Sequence, residues 1–169
     1  MTRILQTDRL HLVMPAERHV AAHAAWTDSA RAEALGWRQP VSLAWLEFAS
    51  VLGHHALRGF GPLVAEDAKT GAALGLFGPW HPPAIPDIEI KWTLWSDAAV
   101  GKGLAFEAAT AVRAHVQAAL GLERLVSYIH PGNTRSAALA RRLGAVADGT
   151  WQNPNGKIVD VWRHPVGVA

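Results

Sequence analysis

Apolar positions recur along this chain at two spacings, and each switch from one to the other marks a predicted element. Arg9 to Met14 (RLHLVM) alternates loosely and predicts a first strand, ended by Pro15. Pro15 to Trp26 turns helical: proline suits a helix start, and Val20, His23 and Ala24 with Trp26 share one face. Thr27, Asp28 and Ser29 interrupt it, and Gly36 and Pro40 bracket a loop holding Trp37 and Arg38. A second helix is predicted from Ser42, a good N-cap, through Trp45, Phe48, Ala49 and Leu52, fading near Gly59.

The spacing then shortens to that of a sheet. Gly61 to Asp67 and Ala72 to Trp80 read as strands joined by the short turn Ala68-Lys69-Thr70-Gly71. His81 to Pro86 holds three prolines, cannot pair in a ladder and is a loop. Asp87 to Trp95 (DIEIKWTLW) reads as a strand, with Asp87, Glu89, Lys91 and Thr93 on the face opposite Ile88, Ile90, Trp92 and Leu94. Gly101-Lys102-Gly103 follows, and then a helix from Leu104 to Leu120. Its stripe of Leu104, Ala108, Val112, Val116 and Leu120 (or Ala119) packs on a sheet, and Gly121 ends it. Arg124 to Ile129 is a further strand. Asn133 caps a short helix that stops at Gly144. Ala145 to Trp151 and Ile158 to Arg163 flank Asn153-Pro154-Asn155-Gly156, a strong hairpin signal. There is no repeat and no linker, so residues 1–169 form one domain.

Composition narrows the function more than the fold. Half the residues are apolar, eight are Trp and 18% are charged, which gives a real core and excludes a disordered chain. A net charge of +2 without a basic run disfavours nucleic acid as a partner. The absence of cysteine excludes a disulfide framework, a thiolate nucleophile and a cysteine zinc site. The opening MTRILQTDRL is charged where a signal peptide is apolar, and no unbroken apolar run is long enough to span a bilayer. The expectation is a cytoplasmic protein that is not inserted in a membrane. Monomer and homodimer both remain open.

The glycine pair carries the chemistry. A strand that feeds a glycine-tipped helix N-terminus makes an anion site: glycines let the backbone approach a ligand, and the unpaired N–H groups of the first turn point at it. A dinucleotide fingerprint needs glycine where Phe106 stands, and a phosphate-binding Walker loop needs Gly-Lys-Ser/Thr. Neither is present. A tight turn without ligand is the plain alternative.

The predicted order β-α-α-β-β-β-α-β-α-β-β, with glycines between the fourth strand and the third helix, resembles the GNAT superfamily of N-acetyltransferases. Within it the chain looks most like the branch of ribosomal-protein alanine acetyltransferases (RimJ/RimL-type). Three stretches carry the likeness: TDRLHL (Thr7 to Leu12), AAVGKGLAFEAA (Ala98 to Ala109) and NTRSAALARRLGA (Asn133 to Ala145). The resemblance implies an α/β (α+β) fold, a mixed and mostly antiparallel sheet of six to seven strands that splays between its fourth and fifth, with about four helices on both faces. It also implies acetyl-CoA as co-substrate, no metal, and a primary amine acceptor, either a small molecule or a peptide N-terminus. The family's diphosphate loop falls on Val100, Gly101, Lys102, Gly103, Leu104 and Ala105. Its usual Gln or Arg three residues before the first glycine is replaced by Ala98. The pantetheine strand falls on Trp92, Thr93 and Leu94, with one backbone N–H polarising the thioester carbonyl. Asn133, which is also a plain helix cap, falls where the family bonds the pantetheine amides.

Acetyl transfer needs a neutral amine, a polarised carbonyl and a proton for the departing thiolate. The family's acid is often a tyrosine on the helix after Asn133; here that position is Ala140, and the one tyrosine, Tyr128, lies on the preceding strand. Ser136 is the hydroxyl the ribosomal branch places near the sulfur. Glu89 is the first candidate base, with a surface ion pair to Lys91 or an arginine as its structural alternative. His130, at the mouth of the adjacent strand, is second, since histidine changes charge nearest neutrality. Trp26, Trp37, Arg38 and Trp80 are candidates for the acceptor site, against plain packing. His54-His55 is no chelating pair, because adjacent helical residues point about 100° apart. The vacant tyrosine position leaves a second class open, a CoA-binding module without turnover.

Overall fold

A computed structural model describes residues 3–167. Strands β1 (Arg3–Gln6) and β2 (Leu10–Val13) lead through a 3-10 turn at Glu17–His19 into α1 (Val20–Thr27), α2 (Ala30–Ala34) and α3 (Val41–Arg58). Then come β3 (Leu63–Asp67), β4 (Ala73–Trp80), β5 (Ile88–Leu94), α4 (Leu104–Leu120), β6 (Leu125–Ile129), α5 (Thr134–Arg142), β7 (Val146–Gln152) and β8 (Ile158–Arg163). One sheet runs β1-β2-β3-β4-β5-β6-β8-β7. Every neighbouring pair is antiparallel except β5 and β6.

The mixed sheet with helices on both faces is the expected architecture, extended by one strand and one helix. Among the described residues the sheet has eight strands, not six to seven. The added β1 is a four-residue edge strand that starts on Arg3 and ends on Gln6, too short and polar to show alternation. The added α2 is a five-residue helix whose N-cap, Ser29, belongs to the interruption seen in the sequence; its side chain accepts from Ala32 N–H at 3.1 Å. Two helix starts also shift. Pro15 stays outside the first helix, which begins at Val20. The predicted second helix, α3, begins at Val41 with Pro40, not Ser42, as its N-cap.

Two-residue alternation sends the strands' side chains into separate cores. Leu63 and Ala65 of β3 join Phe77 and Ile90 beneath α4, where Ala108, Val112 and Val116 supply the predicted stripe. Neither residue offered as its last member is buried: Leu120 is 39% exposed and Ala119 is exposed as well. Val64 faces the other way and packs with Phe48, Trp26 and Trp95 under α1 and α3. Complete burial of a side chain such as Phe48 or Phe77 contributes about 2–3 kcal/mol each. A smaller cluster of Ile129, Ala140, Ala145 and Trp162 seats α5. Among the described residues no helix is long and apolar enough to cross a membrane.

Candidate functional site

The two parallel strands part almost as soon as they meet. β5 and β6 pair only at Ile88 with Leu125 and Glu89 with Val126, while β5 stays paired with β4 as far as Leu94. Main-chain groups alternate sides along a strand. Trp95 N–H bonds Leu74 O on β4 at 2.7 Å, and Ser127 on β6 reaches Ile90 O at 2.6 Å. The even residues therefore face the opening, and Trp92 presents its N–H and C=O there with no strand opposite.

The opening runs into a cleft of about 780 Å³ that ends at the N-terminus of α4. Gly101 (φ 78°) and Gly103 (φ 76°) are both left-handed, a conformation costly for other residues, and they turn the chain sharply into the helix. Glu107 N–H makes the first helical bond, to Gly103 O at 3.1 Å. Among the described residues no protein acceptor meets the N–H groups of Gly101, Gly103, Leu104, Ala105 or Phe106. Five donors without a protein acceptor at the positive end of a helix suit a diphosphate. The opening TDRL motif braces this loop: Arg9 Nη1 donates to Lys102 O at 2.9 Å, Arg9 Nε donates to Glu107 at 2.7 Å, and the Thr7 hydroxyl also donates to Glu107. Those bonds hold the Glu107 carboxyl below the ordinary range despite burial that opposes them. The carboxylate is thereby engaged before an anion arrives.

Most of the predicted cofactor residues meet in this cleft: Trp92, Thr93, Leu94, Val100, Gly101, Gly103, Leu104, Ala105, Asn133 and Ser136. Lys102 is exposed and outside the lining. Asn133 caps α5 by accepting from Ser136 N–H at 3.1 Å. The Ser136 hydroxyl oxygen accepts from the Trp92 indole N–H at 3.2 Å, leaving its own hydrogen free to donate. Ala140 is buried in the small cluster under α5 and presents nothing to the cleft. Tyr128 lines the cleft, but its hydroxyl accepts from Asp87 N–H at 3.3 Å, and burial raises its pKa.

Glu89 and His130 also line the cleft. Among the described residues no cation lies within ion-pair distance of Glu89, so the surface-pair alternative is not realised. Burial raises its pKa; the Lys91 charge and the Tyr128 main chain oppose that without cancelling it. His130 is exposed at the mouth, its Nδ1 accepting from Gly132 N–H at 3.3 Å. Of the acceptor candidates, Trp26 and Trp37 line the cleft, and Arg38 and Trp80 do not. Arg38 pairs with Asp28 and Glu33, each at 3.1 Å. Trp80 stacks on His54 at 4.6 Å, with the Lys91 ammonium 5.0 Å from its ring centre.

Sequence reasoning missed Arg31, Arg135 and Arg142 in the lining, and Ser127 with His164 behind it. Arg142 lies 4.2 Å over the Phe106 ring, basic groups beside the anion site that the sequence signalled only as the Arg-Arg of RRLGA. Burial, seconded by the Arg113 guanidinium, holds His164 down to about 4. An unfolded histidine titrates near 6.5, so between that pH and about 4 the unfolded chain binds a proton that the fold refuses. Stability present above pH ~6.5 is lost as pH falls, by ~3 kcal/mol from this residue at the lower end. His164→Gln should therefore unfold in denaturant with a shallower acid slope, by about one proton, between pH 7 and 5. An unchanged slope would contradict a neutral His164. His19 and His54, also lowered by burial, act in the same direction.

The comparisons with known proteins agree with this geometry. Residues 9–146 match the family model described as an acetyltransferase (GNAT) domain. An acetyltransferase from Agrobacterium tumefaciens str. C58 is 31% identical over 97% of this chain and 94% of its own, with a TM-score of 0.87. A GNAT-family acetyltransferase from Bordetella pertussis is 25% identical, over 96% and 99% of the two chains, at a TM-score of 0.78. RimL, a ribosomal L7/L12 α-N-protein acetyltransferase solved with coenzyme A, shares the fold at 18% identity, 98% coverage of each chain and a TM-score of 0.76. With the family model covering most of its length and the splayed parallel pair leading to a glycine-turned helix, the chain is a member of the GNAT acetyltransferases.

Proposed function

We propose that this protein transfers an acetyl group from acetyl-CoA directly to a primary amine bound beside it. One observation carries the reading: the unpaired edge of β5 and the unbonded amides of the α4 N-terminus open into the same cleft. The edge accommodates an extended amide-bearing arm, and the helix end accommodates its diphosphate. The thioester then lies against Trp92, whose N–H meets the carbonyl oxygen as it becomes an oxyanion. The neutral amine attacks the carbonyl carbon, and the nitrogen passes its surplus proton to Glu89 directly or through water. When the tetrahedral adduct collapses, the C–S bond breaks and the thiolate leaves beside the Ser136 hydroxyl. No cysteine is present to hold the acetyl group between two half-reactions.

The acceptor wall narrows the amine. Trp26, Ala34, Leu35 and Trp37 form it, Leu35 and Trp37 being 41% and 53% exposed. The wall's one charged group, Arg31, already donates to Leu94 O and Trp95 O and forms an ion pair with Asp97. Among the described residues Glu89 is the single carboxylate in the cleft lining. A small amine or peptide N-terminus with an apolar flank fits; a polyamine finds no second anion. Thiol release from acetyl-CoA, followed over a panel of apolar-flanked amines, N-terminal peptides and spermidine, tests this. Apolar-flanked acceptors should lead, and Trp37→Ala should raise their KM roughly tenfold at constant acetyl-CoA KM. Acetyl-CoA binding without turnover on any amine would replace the transferase with a CoA-binding module.

A further inference from the structure

The bare stretch of β5 is held at both ends by side chains. At the fork, Ser127 of β6 donates its hydroxyl to Ile90 O at 2.6 Å. That uses its one hydrogen, so its oxygen accepts from His164 Nε2, 3.0 Å away. All three groups are buried. Four residues further along β5, Arg31 of α2 donates one Nη2 to two carbonyls, Leu94 O at 2.8 Å and Trp95 O at 2.9 Å. Asp97, 3.1 Å from Arg31 Nε, holds the guanidinium in place. The Trp92 peptide lies midway between the two clamps.

A strand with a ladder on one side only is free to flex away from it. An oxyanion donor tolerates little of that, because it must meet the developing charge at about 2.7–3.1 Å. On the reading given under Proposed function, we propose that Ser127, oriented by His164, and Arg31 are positioning residues for acetyl transfer. They replace the missing β6 ladder by fixing Ile90 and Leu94, so that the Trp92 N–H points where the thioester oxygen will be. Neither touches the reacting atoms. On that reading the α4 N-terminus grips the diphosphate end, so loosening the strand misaims the donor and lowers turnover more than cofactor affinity.

The test separates turnover from affinity and from folding. Ser127→Ala, Ser127→Cys and Arg31→Met are compared with the unaltered protein by initial rates over both substrates, by calorimetric titration with CoA, and by thermal midpoint. Ser127→Ala and Arg31→Met should each lower kcat by about 10–100-fold, as a displacement of an ångström or less does, with the CoA Kd within about threefold. Ser127→Cys keeps the volume and a weaker donor and should fall between. Arg31 is partly exposed, so Arg31→Met remains measurable should the buried Ser127 variants fold poorly. A kcat within threefold of the unaltered protein, or a loss wholly matched by weaker CoA binding, overturns the clamp while leaving the transferase reading intact. Absence of turnover in the unaltered protein overturns both.

Discussion

Gly101→Val should weaken CoA binding about a hundredfold and cost the fold little. Position 101 has φ 78°, and a Cβ built there meets no protein atom within 4 Å. The substitution therefore clashes with nothing; it strains the backbone by about 1–2 kcal/mol and puts a branched side chain at the edge of the cleft. The strain is relieved by turning the loop out of the left-handed region, which re-aims the adjoining N–H groups. Either response spoils the donor array. One or two charge-assisted hydrogen bonds at ~1.5–3 kcal/mol each give the expected loss, read by calorimetry with CoA. Lys102→Ala is the control. That side chain lies outside the lining, so its loss should change affinity by less than about threefold. CoA affinity in Gly101→Val equal to that of the unaltered protein would remove the helix N-terminus from the cofactor site.

The glycine turn was legible because it is a local demand: two left-handed positions before a helix require the residues found there. The α4 stripe and the alternation of β5 were legible for the same reason, as periods written in consecutive residues. What stayed hidden depends on distance along the chain. Arg31 meets β5 more than sixty residues later, and Ser127 meets Ile90 and His164 from thirty-seven residues on either side. None of the three has a neighbour in sequence that suggests the contact. The TDRL motif falls between these cases. Its residues were visible as part of a family likeness, but their work, bracing Glu107 and Lys102 nearly a hundred residues on, required the fold. Arg38 and Trp80 show the converse: a charged residue beside a loop tryptophan, and a tryptophan before a proline loop, look like recognition in sequence. In the fold their partners are two acids and a stacked histidine.

Glu89→Gln separates chemistry from stability more sharply than any other substitution in the cleft. A general base contributes about 10²–10⁴ in rate, so kcat on the best amine should fall by that factor, with both KM values little changed because the amide keeps the shape of the carboxyl. The pH profile gives a second reading. Burial places the Glu89 pKa above its ordinary value, so the unaltered enzyme should gain activity as pH rises through that raised pKa, later than an ordinary glutamate would allow. The substitution should flatten that limb. Stability should move the other way. A carboxyl whose folded pKa exceeds its unfolded pKa favours the fold while protonated; that contribution is complete below the unfolded value and lost as pH rises through the folded one. Above that raised pKa the unaltered protein carries a half-buried carboxylate with no cation among the described residues in ion-pair distance, which glutamine replaces by a neutral amide. Glu89→Gln should melt at the same temperature or higher at pH 7.5 and lose that advantage below pH ~4, where both side chains are neutral. A variant that keeps full kcat would return the base to His130 or to solvent. One that loses activity and stability together at pH 7.5 would make Glu89 a structural residue.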